Sequence, residues 1–223
     1  MGAECGRLRR VIAVHPVLET YGPEGFGLWP VTEIEPFSWL PLSGELSPAE
    51  VGTAMMCIVS CNDIEPDGSR PPRPAAPLDS FLHGLLTFDS LFAPGGLRVT
   101  DQSTGAAFLP GCCDGLEDWR DWYQFVGDGR TLAFGHDPVS PLAERFGDTA
   151  RLTVNAEQSD SQVIELSVAE FRDLLDGAER DLTAFHVLAA DWSSRYLPDH
   201  CAAVTAALAR VLDVPSLVSP VRA

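Results

Sequence analysis

At 223 residues, 45% of them hydrophobic, the chain is long enough to bury a core without disulfides or a structural metal. Its 32 acidic residues against 15 basic ones leave a net charge of −17, a field that repels phosphate backbones and anionic lipid surfaces. Nucleic acid and membrane are thereby excluded as expected partners, and a protein partner or a small molecule is expected instead. Every Lys/Arg position is Arg, so the P-loop lysine, the pyridoxal-phosphate Schiff base and the kinase strand lysine have no residue to form them, and no cofactor is expected.

The apolar run 11–14 is too short for a signal peptide, and no run approaches the ~20 apolar residues of a membrane helix. A cytoplasmic location with reduced cysteines is expected. Residues 1–46 are broken by Pro and aromatic residues, with one strand expected at 10–14. Ser47-Pro48-Ala49-Glu50 is a capping box with Pro at the first helical position, predicting a helix over 48–60 with Met55, Met56, Ile58 and Val59 on its core face. The Pro-rich stretch 65–77 reads as a loop or linker. A helix over 78–91 follows.

Strands are then predicted at 97–100 and 106–109 as a hairpin, and at 131–134, 142–146, 150–154 and 163–166, with Gly147-Asp148 as a turn. Short connections favour antiparallel pairing. Ser167 and Glu170 start a further helix, with a break expected at Gly177, and a last helix begins near Asp199. The expected fold class is α+β, a mainly antiparallel sheet with one face covered by the two C-terminal helices. Its organisation reads as an N-terminal segment 1–64, the loop 65–77, a core 78–214 and a tail 215–223, or all of these as one domain.

One segment concentrates chemistry: Pro110-Gly111-Cys112-Cys113-Asp114-Gly115 leads into Leu116-Glu117-Asp118-Trp119-Arg120-Asp121-Trp122. Asp114 and Glu117 are placed to cap a helix that buries Leu116, Trp119, Trp122, Tyr123 and Val126 on one side. With Phe134-Gly135-His136-Asp137-Pro138, this segment resembles a motif pair of uncharacterised actinobacterial proteins, over about residues 95–212. The resemblance implies kinship and carries no activity.

Gly111 to Gly115 also fits Gly-x-Cys-x-Gly, the thiol form of a nucleophile elbow, with Cys113 as nucleophile, His136 as base and Asp137 orienting it. Arg120, Trp119 and Trp122 would bind the substrate. Against this stand the antiparallel pattern and the carboxylates of Asp114, Glu117 and Asp118, which oppose a thiolate. In the alternative, Cys112 and Cys113 pack beneath Trp119, and His136-Asp137-Pro138 is a turn. No zinc spacing occurs and no metal is expected, while Cys57 and Cys61, four apart on a helix, are expected in the core. The preferred expectation is a non-catalytic binding or interaction protein, immunity-like toward a basic partner. The alternative is a small cysteine-dependent enzyme of acyl transfer or hydrolysis.

Overall fold

The computed structural model describes residues 11–65, 71–111, 113–135 and 139–217. Cys112, His136, Asp137, the middle of the Pro-rich loop and the end of the tail lie outside them. The fold is α+β, and the antiparallel pairing is divided between two four-stranded sheets. The first has the order β2-β1-β3-β4, from Trp39–Pro41 (β2), Ile12–Glu19 (β1), Gly95–Asp101 (β3) and Ala106–Phe108 (β4). The second runs in chain order, from Leu132–Ala133 (β5), Leu142–Phe146 (β6), Thr149–Thr153 (β7) and Val163–Ser167 (β8).

β1 runs five residues beyond the strand expected at 10–14, straight through Pro16. The Pro16 carbonyl accepts from Leu42 N–H at 2.9 Å, so its missing amide faces the chain just past the end of β2 and costs the β1–β3 ladder nothing. That is why a proline survives in a strand with neighbours on both sides. β2, which the sequence did not reveal, is three residues long and paired only with the end of β1.

Helix α1, Pro48–Cys61, begins as its capping box dictates: Glu50 N–H donates to Ser47 Oγ, and Ser47 N–H donates to Glu50 Oε2 at 2.7 Å. Val51 to Val59 are all buried, so the helix is enclosed on every side. Asn62 ends it, bonding to Ile58 O, Phe92 O and Phe92 N–H. Beyond it, Arg73 folds the Pro-rich loop back, pairing with Asp63 and donating to Ser80 O and Ile64 O. Helix α2, Pro77–Thr87, stops earlier than the expected 78–91, because Phe88 turns extended (ψ 139°).

Helix α4, Val168–Tyr196, continues through Gly177 without a break. Its buried positions Phe171, Leu175, Ala178, Leu182, Phe185, Ala189 and Trp192 recur every three or four residues on both sides of Gly177, and this packing outweighs the roughly 1 kcal/mol that glycine costs a helix. α4 packs on β1 and reaches β7 and β8, so it joins the two sheets. α5, Cys201–Val211, packs mainly on α4 and α2 rather than covering a sheet face. One cluster of buried residues runs through β1, α1, α2, both sheets and the C-terminal helices. Among the described residues, no helix is long and apolar enough to cross a membrane.

Candidate functional site

The segment from Pro110 to Trp122 forms the junction between the sheets. In place of one helix capped by Asp114, a single 3-10 turn at Leu116–Asp118 is followed by helix α3, Asp121–Asp128. The carboxylates expected to cap are used elsewhere: Glu117 accepts from Ala93 N–H at 3.1 Å, and Asp114 Oδ2 accepts from Gly135 N–H at 3.1 Å. Backbone bonds from Gly95 N–H to Asp114 O and from Leu116 N–H to Ala93 O hold the turn against the start of β3.

The bond from Gly135 joins the two sequence motifs in space. Gly111 lies directly on the backbone of Gly135, where a Cβ would overlap it, and Gly135 itself has a φ of +72°. Both glycines are therefore required by contact and conformation. The result is a pocket of about 160 Å³ walled by Gly95, Gly96, Pro110, Asp114, Asp118 and Asp121, with Arg130 also on its edge.

Phe108, Trp119, Trp122 and Phe134 line the same pocket as a packed aromatic base. Trp122 and Phe134 are stacked at 5.2 Å, and Phe108 meets both edge to face. The rim is acidic: three carboxylates face one guanidinium, and Arg130 lies 3.6 Å from Asp121. Burial pushes the Asp114 carboxyl above its usual range, against the backbone N–H groups of Gly135 and Gly111 that lower it, while the charge of Asp118 adds to the rise. Glu117, just behind, is also raised, first by burial and then by Asp118 and Asp114.

Of the residues expected to act, Cys113 is exposed at the turn and does not pack beneath Trp119. It precedes only a three-residue 3-10 turn and follows an antiparallel strand, so the parallel-strand-to-helix setting of a nucleophile elbow is not formed around it. His136 and Asp137 belong to the segment outside the described residues. Trp119 and Trp122 border the pocket but are only 1% and 2% exposed, and Trp119 Nε1 donates to Leu212 O at 2.9 Å.

Arg120 sits over the Trp119 ring at 4.4 Å and donates to Glu179 Oε1 at 2.8 Å and to Asp213 O. Tyr123, expected on the buried side, is only half-buried, because its hydroxyl reaches out to donate to Asp176 and Glu179. These bonds fasten α3 to α4 and to the end of α5. Asp114, Asp118, Asp121, Arg130, Phe108 and Phe134 line the pocket without having been expected from the sequence as binding residues. Only the three-residue spacing of Asp118 and Asp121 hinted at a shared edge, since the other members arrive from three separate stretches of chain.

Elsewhere, Cys57 is fully buried and Cys61 half-buried, and both thiols are raised by burial, Cys61 to about 11. Burial thus disfavours the thiolate at both positions. Among the described residues, no group of three His, Cys, Asp or Glu side chains is arranged to hold a metal ion. No protein-family model, curated protein or solved structure matches the chain.

Proposed function

We propose that the chain is a non-catalytic binding protein for a positively charged partner, and that a cationic side chain or amine enters the pocket beside α3. The carrying observation is the lining itself, three carboxylates and one guanidinium above four aromatic rings. Burial first, and the Asp118 charge after it, disfavour the Asp114 carboxylate in the pocket wall, and an incoming cation offsets that cost. Aromatic rings add attraction for a cation that has left water. The net charge of −17 draws such a partner in from a distance.

Arg130 makes the test two-signed. Titration with N-acetyl-arginine amide, followed by indole fluorescence, is expected to show weaker binding in Asp118→Asn, by roughly ten-fold for one lost charge-assisted contact. Arg130→Gln removes the competing guanidinium and is expected to bind more tightly. If Arg130→Gln bound the probe more weakly, or Asp118→Asn bound it unchanged, the cation reading would be wrong.

The exposure of Cys113 favours a second reading, a cysteine-dependent enzyme of acyl transfer or hydrolysis with Cys113 as nucleophile, His136 as base and Asp137 orienting it. Alkylation by iodoacetamide at neutral pH separates the two. A Cys113 that reacts faster than free cysteine supports the enzyme, and one that reacts no faster removes it.

A further inference from the structure

Between β1 and β2 the chain makes a tight turn, Glu35-Pro36-Phe37-Ser38, closed by Ser38 N–H donating to Glu35 O. Proline at the second position and a positive φ at the third are the marks of a type II turn, and that third position belongs to glycine because a side chain there is strained. Phe37 occupies it, with φ 60°. The ring gains little cover in return: it is 72% exposed and touches Tyr21 only edge to face at 6.2 Å.

The strained turn is held firmly. Phe37 N–H donates to Thr20 O at 2.7 Å, and Thr20 N–H donates to Ser38 O. The buried Thr20 hydroxyl donates to Glu35 O at 3.2 Å, and Ser38 Oγ to the same carbonyl at 2.6 Å. A bulky apolar side chain is thus presented to solvent, in a costly conformation, by a dedicated hydrogen-bond network.

Beside it lies an open concavity of about 620 Å³ lined by Pro23, Glu24, Glu33, Ile34, Glu35 and Pro36. All three glutamates are exposed, and among the described residues no basic side chain pairs with them. None of these residues lines the aromatic pocket.

We infer that this turn is a docking surface for a basic segment of a protein partner, its Arg or Lys side chains meeting Glu24, Glu33 and Glu35 while an apolar side chain packs on Phe37. Charge complementarity names the occupant. An exposed aromatic anchor beside charges of one sign, unpaired among the described residues, fits a segment that alternates cationic and apolar residues. The inference shares with the pocket reading only the sign of the partner's charge.

The test uses the full chain and a fluorescent peptide of alternating Arg and Leu, measured by anisotropy at low and at physiological ionic strength. Phe37→Gly is expected to bind at least about ten-fold more weakly, and to melt about 2–4 °C higher because glycine relieves the turn. Glu24→Gln/Glu33→Gln/Glu35→Gln is expected to weaken binding and flatten its salt dependence. Asp118→Asn, the variant that weakens the pocket's hold on a lone arginine, is expected to change peptide binding far less than Phe37→Gly does, so either reading can fail without the other.

Peptide binding lost in the glutamate variant but kept in Phe37→Gly would mean bulk charge attraction alone and overturn the docking surface. A lower melting temperature for Phe37→Gly would overturn the argument from strain. A wild-type dimer that Phe37→Gly dissolves would assign the turn to self-association and overturn the proposed partner.

Discussion

Helix α4 and the junction at 110–135 solve opposite problems. Along α4 the contacts are apolar and generic in kind: Leu175, Ala178, Leu182 and Phe185 are all fully buried, and their spacing alone tells the helix where to lie. At the junction the geometry rests on two glycine backbones in contact and on Asp114 and Glu117 held where burial disfavours their charges. One region accumulates stability, while the other gives some up to keep a pocket open between the sheets. Carboxylates held against burial are informative because packing elsewhere must offset their cost, and Asp114 is one that lines a concavity.

The largest expected effect belongs to the helix. Leu182→Ala should lower unfolding stability by about 2–5 kcal/mol, the usual cost of a leucine-sized cavity, while the folded fraction still takes the arginine probe with unchanged affinity. Chemical denaturation and fluorescence titration on the same samples check both halves, and a large affinity change would show that the regions are coupled. Gly111→Ala should cost less, about 1–3 kcal/mol of overpacking, yet remove probe binding, because the added methyl forces Gly135 and Asp114 apart.

Gly177→Ala should stabilise by about 0.5–1 kcal/mol, since a methyl there finds nothing nearer than Arg180 at 3.8 Å and the helix already runs through the position. A loss in a thermal melt would mean that α4 bends there. The smallest effect is the pH dependence. Glu19, Asp114 and Glu117 have folded-state pKa values above their unfolded ones, so the native state holds more protons than the unfolded chain in the acid range. Their contribution to stability therefore falls as pH rises from the ordinary carboxylate value of about 4 through the raised values. Glu50, lowered by its bonds to Ser47, opposes this, since its stabilisation is present above its ordinary pKa and lost as pH falls. Probe affinity should move the other way from the three raised carboxylates, tightening as Asp114 ionises; melts and titrations across that range test the sign.

What local residue chemistry determined by itself was the element content: the Ser47–Glu50 box that starts α1, the Gly147-Asp148 turn between β6 and β7, the antiparallel bias and the apolar spacing of the C-terminal helices. Each depends on neighbours within a few positions, which a linear reading can see. The junction was legible as unusual, through its clustered glycines, acids and indoles, but not as a pocket. Whether Asp114 caps a helix or clasps Gly135, whether Pro16 ends a strand or sits harmlessly within it, and whether Phe108 and Phe134 meet Trp122 depend on which distant backbone arrives alongside. Only the tertiary structure decides those matters, because a hydrogen bond or a steric contact between residues tens of positions apart leaves no local period in the sequence.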